Sequence, residues 1–473
     1  MAISSSLYSG ISGLSSMGEA MAVIGNNIAN VNTVAFKSSR TTFQDVLAQQ
    51  ISTAAGTSQV GRGVTLSSVS GLFAQGSFES TSQSTDMAIG GNGFFIVRAP
   101  GSEENYYYTR AGEFSFDEEG YLVNPAGYVS QGWQIDSDTS QITGTMGDIT
   151  VSKSSAPVAT DAITLIGQLD ARKESNSTLY NAAGTGSWAG DDDSPIASTE
   201  YQYHTSIKIY DTLGNGHDLT MYFDPAAGDN EWEYLVTSDP EEDVRTGVDV
   251  ATDFWAGALL YGTIEFSDAG NITDITANTV DPADGTLDAL TVGTDTPNGY
   301  FQFTANFTGT DQDIDLNFGS AYNTSTTSWE REAMSTSQYA SSSTTIFSDQ
   351  NGFGAGFLQS VAVNIQGRIT GHYSNGQILE RALIGLADFS NLVGLSKSGG
   401  NVFAETSASG SPVTGEPGTN GLGTIAPNSL EQSNVDLGAE FVRMITIQRG
   451  FQANSRIITT TDDMLAELIN LKR

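Results

Sequence analysis

Two interleaved seven-residue series at each end of the chain limit its fold more than any other feature. At the N-terminus they are Leu7, Leu14, Met21, Ile28, Ala35 and Ile3, Gly10, Met17, Ile24, Val31, all apolar or small. That spacing predicts a helix whose a and d positions form a seam for another helix. Glu19 is the only charged residue before Lys37, so this helix lacks a solvating face and is expected to be surrounded by protein. At the C-terminus Leu437, Met444, Phe451, Ile458 and Leu465 keep the spacing, while Phe441, Gln448, Ser455, Asp462 and Ile469 turn polar in the middle. Asn434 or Ser433 is the expected N-cap, with Asp436 and Glu440 near the positive end and Lys472 and Arg473 near the negative end.

The ends need partners. Ordering roughly 35 residues per end costs more backbone entropy than burying about five large apolar side chains returns. Both helices are therefore expected to be largely disordered alone and to fold on assembly. The four Asn residues between Asn26 and Asn32 mark where the first helix stops, since Asn side chains compete for backbone hydrogen bonds.

Between the ends the chain reads as mainly β. Strand-like runs such as Phe94-Phe95-Ile96-Val97, Thr205 to Tyr210, Leu219 to Phe223 and Val361 to Ile365 alternate with Gly-, Asn- and Asp-rich turns. At 473 residues several cores are expected, about three by the usual domain size. The expected layout is nested: 1–35 and 430–473 as a coiled-coil-like terminal helical domain, 36–75 and 401–429 as extended connections, 76–150 and 346–400 as an inner β domain. Residues 151–345 form an outer β domain of one or two subdomains. No fixed-period repeat is present.

Charge and composition remove several function classes. The formal charge of -36 repels phosphate backbones and anionic headgroups, which argues against nucleic acid and membrane-surface partners. Between 174 and 330 only Lys208 and Arg245 are basic, giving that region a solvated acidic face. With no cysteine there is no disulfide scaffold, thiolate zinc site or cysteine nucleophile. Neither a basic leader nor an apolar run of about 18 residues occurs, so no cleaved signal and no membrane insertion are expected.

His204, His217 and His372 have no metal-ligand spacing, and neither a G-x-S-x-G elbow nor a P-loop is found. Asp311-Gln312-Asp313-Ile314-Asp315 starts like a calcium loop, but Leu316 and Tyr322 stand where Gly and Glu are required. Asp191-Asp192-Asp193 reads as a solvated turn. No catalytic residue, cofactor or metal site is assigned, and no enzyme activity is expected. Composition alone leaves open a secreted β-rich adhesin and a glycan hydrolase using paired carboxylates.

Longer strings narrow the choice. Leu7-Tyr8-Ser9-Gly10-Ile11-Ser12-Gly13-Leu14 with Ile24 to Thr33 resembles the opening motif of the flagellar rod and hook family. Leu430-Glu431-Gln432-Ser433-Asn434-Val435-Asp436-Leu437 with Gln448 to Asn454 resembles its closing motif. Asp86 to Phe95, Tyr108-Thr109-Arg110, Ile209 to Asn215, Tyr373 to Gln377 and Gly399 to Thr406 are similar to the hook branch of that family, and the likeness is faint from about 226 to 345.

The resemblance implies a structural subunit, exported by the flagellar type III apparatus, that polymerises into a curved, flexible helical tube coupling rod to filament and transmitting torque. It implies contacts with further copies, the distal rod protein, the hook cap protein, the hook–filament junction protein and the export apparatus, in the hook at the cell surface. The residues expected to carry assembly are Ile3, Leu7, Leu14, Met17, Met21, Ile24, Ile28, Val31, Leu437, Phe441, Met444, Phe451, Ile458, Leu465 and Ile469.

Overall fold

The structure, a computed structural model, describes residues 2–53, 56–102, 105–136, 139–180, 187–192, 194–249 and 253–470. Helix α1 covers Ala2–Ala29 and helix α2 covers Leu437–Asn470, and the chain between them is almost entirely strand and turn. The expected mainly β fold with paired terminal helices is what the chain adopts.

α1 ends where its asparagines intervene. Asn30 Nδ2 donates to the Asn26 carbonyl at 2.9 Å, and Asn27 clamps Ser39 from both sides, accepting from its N–H and donating to its carbonyl. α2 starts two or three residues later than a cap at Asn434 or Ser433 would place it. Asp436 Oδ1 caps it by accepting from Ala439 N at 3.1 Å. Asn434 is occupied elsewhere, accepting from Ser38 N and donating to the carbonyls of Leu72 and Ala74. Lys472 and Arg473, expected near the end of the helix, lie outside the described residues.

One compact unit comprises Met1–Lys153, Leu358–His372 and Gln377–Arg473. The stretch 36–75, expected as an extended connection, is a hairpin: Ser39–Asp45 pairs antiparallel with Val64–Gly71, and Gln49–Thr53 with Gly56–Val60. Strands from the two halves of the chain then alternate in a single sheet. Arg368–Tyr373, Ile378–Ile384, Val129–Ile135, Phe94–Arg98, Tyr106–Thr109, Val402–Ala404 and Ser396–Gly399 are neighbours in that order. Its core holds Phe95, Val97, Leu122, Ile149, Ile369 and Ile384, all fully buried. Phe78–Ser80 pairs with Ser429–Glu431 and Met87–Gly90 with Thr424–Pro427, which brings the chain from both directions back to the helices. Gly76 sits where a Cβ would lie 2.0 Å from the Gln432 carbonyl oxygen, so only glycine lets these strands approach.

The second unit comprises Ser154–Phe357 and Tyr373–Gly376. A seven-stranded sheet built around Tyr203–Tyr210, Gly216–Pro225, Glu231–Thr237 and Ala258–Phe266 shares one core with a five-stranded sheet built on Phe301–Asn306, Asp311–Asn317 and Ala162–Asp170. Alternation sends Leu219, Met221, Trp232 and Tyr234 into that core. The acidic run Asp311 to Asp315 is therefore a strand rather than a loop. Asn306, Thr304 and Gln302 on the paired strand donate to Asp311, Asp313 and Asp315 respectively. His204, His217 and His372 all lie in strands.

On the other face of the seven-stranded sheet, Leu179, Tyr180, Trp188, Leu235 and Trp255 form a second core. Asp224 and Glu233, direct partners across two strands, are buried beside it. Burial pushes the Glu233 carboxyl up to about 7, with the nearby Asp224 and Glu231 charges adding to the shift and the Tyr261 hydroxyl, donating at 3.0 Å, opposing it. A carboxyl raised in the folded state stabilises the fold below the ordinary carboxylate range, and that contribution is lost as pH rises through about 7. Relative to Glu233→Gln, the wild-type chain should lose ~3 kcal/mol of unfolding free energy between pH 4 and pH 8. Denaturant titrations at both pH values check this; parallel pH dependences in the two proteins would contradict it.

Candidate assembly interface

The two terminal helices pack antiparallel. A Cβ on Gly10 would meet Ile458 at 3.2 Å, Met17 Sδ lies 3.4 Å from where a Gly450 Cβ would stand, and Ile24 shares a cavity with Val442 and Arg443. Residue numbers rise along α1 as they fall along α2.

The face of α1 buried within the chain is a stripe of mostly small residues: Gly10, Gly13, Ser16, Ala20, Ile24 and Asn27. A Cβ on Gly13 would sit 2.6 Å from Asn454 Nδ2, so glycine here sets how near the helices come. The hairpin closes against the same region, with Ser12 Oγ accepting from Val64 N at 3.3 Å and Ser16 Oγ donating to the Val64 carbonyl.

The expected seam residues divide into two groups. Met17 and Ile24 face α2, whereas Leu7, Leu14, Met21 and Ile28 lie half-buried on α1, as does Val31 just beyond it. The side chain of Ile3 lies outside the described residues. On α2, Met444 and Ile458 are half-buried, but Leu437, Phe441, Phe451, Leu465 and Ile469 are exposed, Phe441 at 49% and Ile469 at 69%.

Heptad counting alone missed Val442, Ile445, Ile457 and Met464 on α2 and Tyr8 and Ile11 on α1, all exposed. Their signal was present as neighbours: Phe441, Val442, Met444, Ile445 and Ile447 place apolar groups nearly all round one turn. An all-round apolar helix belongs inside a larger structure, and uncovered apolar rows of this kind mark interaction surfaces.

A buried polar knot fixes where both helices leave the strands. Lys37 Nζ donates to Glu431 Oε1 at 2.6 Å and to the Ala74 carbonyl at 3.0 Å, both charged side chains being fully buried. Gly76 N also donates to Glu431 Oε1, and Arg110 stands 3.5 Å from Oε2. Burial pulls the Lys37 ammonium below its ordinary value while the Glu431 carboxylate beside it holds it up. Burial likewise lowers Arg110, against the charges of Glu431 and Asp388. Sequence reasoning did not pair Lys37 with Glu431, because nothing local links residues so far apart.

A pair of terminal helices that is closed on one side within the chain and leaves apolar rows uncovered on the other defines a structural subunit with surface left for further copies. The comparisons with known proteins agree. Residues 7–37 match the family described as flagella basal body rod protein, 88–154 the flagellar hook protein FlgE/F/G D1 domain, 168–353 the flagellar basal body protein FlaE D2 domain, and 426–471 the flagellar basal body rod FlgEFG protein C-terminal. The match over 168–353 runs through the region where the family motifs are faint. The chain is 34% identical over 490 residues to the flagellar hook protein FlgE of Treponema pallidum, covering 99% of each. It is 34% identical over 488 residues to that of Borreliella burgdorferi, again covering 99% of each, and 31% identical over 465 residues to that of Salmonella typhimurium, covering 98% of each. The chain belongs to the flagellar hook protein FlgE family.

Proposed function

We propose that this structural, non-enzymatic subunit of the flagellar hook polymerises through its terminal helices into a curved, flexible tube that joins rod to filament and carries torque. Its place is the hook at the basal body, extending outside the cell. The observation that carries the assembly reading is the helix pair: one side is closed within the chain, and the other presents Leu437, Phe441, Ile445 and Phe451 to solvent. Contacts that repeat head to tail without closing generate a helical polymer.

Leu7, Leu14, Met21, Ile28 and the exposed row of α2 are the interface in this reading, and residues 1–35 with 430–473 are the assembly domain. The distal rod protein, the hook cap protein and the hook–filament junction protein are the neighbours at the ends of the tube. A cysteine-free chain whose helices depend on assembly suits export in unfolded form by the flagellar type III apparatus. Electron microscopy of flagellar bases from cells lacking the chain tests the reading. Bases ending at a complete rod are expected; a truncated rod would move the chain to the rod, and intact flagella would refute both.

A further inference from the structure

At the end of the helix pair nearest the strands, α1, α2 and the strand Ser39–Asp45 border an open cavity of ≈ 330 Å³ whose walls include Ile24, Val442, Ile447, Glu440, Arg40 and Arg443. Glu440 is 4% exposed. Its Oε1 accepts from Arg443 at 2.7 Å, but its Oε2 is buried with no hydrogen-bond partner among the described residues. A buried carboxylate oxygen without a donor is costly, so a donor supplied on assembly would be strongly favoured.

The cavity's chemistry selects its occupant. Two guanidinium groups at the border disfavour a lysine or arginine. The apolar part of the wall, Val23, Ile24, Val442 and Ile447, rewards a side chain with a large hydrophobic body, and the orphan oxygen asks for a neutral donor at its tip, a combination tyrosine and tryptophan supply. Tyr8 is the only tyrosine or tryptophan in either helix, and it is 66% exposed. Within one chain the two cannot meet. Tyr8 lies by the Ile457 end of the antiparallel pair, about 24 Å along α1 from Ile24 at the cavity.

We propose that this cavity is a socket for Tyr8 of a second copy of the chain, with the Tyr8 hydroxyl donating to Glu440 Oε2. The inference rests on the assembly reading above and gives it a specific contact. Because knob and socket sit at opposite ends of the helix pair, the contact is heterologous: each copy fills one socket and offers one knob, which propagates an open polymer rather than a closed dimer. Val442 borders the socket, and Phe441 and Ile445, exposed on the same stretch of α2, continue the apolar surface beside it.

The test is the critical concentration for polymerisation of the purified full-length chain, read by sedimentation and electron microscopy, with circular dichroism confirming that each monomer folds. Tyr8→Phe and Glu440→Gln should each raise it about 10-fold, and the double variant should do no worse than either single one, the mark of a shared contact. Tyr8→Ala should raise it further by emptying the socket. Wild-type critical concentration in Tyr8→Phe, or additive losses in the double variant, would overturn the socket while leaving assembly intact. Failure of the wild-type chain to polymerise under any condition would overturn the assembly reading, and the socket with it.

Discussion

Phe451→Asp should abolish assembly while leaving the monomer folded. Phe451 is 40% exposed in the chain, so an aspartate there remains hydrated before assembly. Once the exposed row of α2 is covered by another copy, that charge loses its water and meets apolar neighbours, at a cost of ~3 kcal/mol or more per contact. The critical concentration should rise at least about 100-fold. Sedimentation of wild-type and variant chains reads this directly. Tubes forming at wild-type concentration would show that Phe451 faces solvent in the polymer, and loss of the β circular-dichroism signal would show that it supports the fold instead.

Glu431→Ala should destabilise the helix-bearing unit by ~3–5 kcal/mol, because it strands a fully buried Lys37 ammonium, leaves Gly76 N–H without its acceptor and removes the countercharge beside Arg110. Replacing both partners by apolar residues of similar size, Lys37→Met with Glu431→Leu, should recover most of that loss, since the cost lies in the uncompensated charge rather than in the missing bridge. Segment-resolved amide exchange under native conditions separates the two units. Strand Phe94–Arg98 should open more readily in Glu431→Ala, while Gly216–Pro225 in the other unit is unchanged. Equal protection in wild type and Glu431→Ala would remove the polar knot from the stability of this unit.

Much of this architecture is legible in local sequence, and what is not is set by distant contacts. The asparagines from Asn26 to Asn32 stop α1 where expected, because the competition between an Asn side chain and the helix backbone is local. The cap of α2 is different: Asn434 is as good a capping residue as Asp436, yet Ser38, Leu72 and Ala74 claim its side chain, and Asp436 caps instead. The hairpin over 39–71 was hidden because its strands are rich in Ser, Thr and Gln and show little apolar alternation, as in Ser39-Arg40-Thr41-Thr42-Phe43-Gln44-Asp45. The calcium-like run at Asp311 became a strand once the segment 301–306 paired with it, giving each aspartate a donor across the ladder.

The heptads were read with the right period and an incomplete geometry. Seven-residue spacing identifies both helices as seam-forming, but it does not tell which apolar positions close inside the chain and which stay open. Gly10, Gly13, Ser16 and Ala20 form the closed face because small side chains allow the helices to approach, leaving larger groups such as Phe441, Ile445 and Phe451 uncovered. That division is the physical basis for assigning assembly to the termini.

Amide hydrogen exchange across residues 2–29 and 437–470, in dilute monomer and in assembled tubes, tests that assignment most directly. Rapid exchange in the monomer and strong protection in the tube is the expected result, since the helices lack enough buried surface alone and gain it from neighbouring copies. Equal, strong protection in both states would contradict it, because helices already complete in the monomer would have no need of assembly.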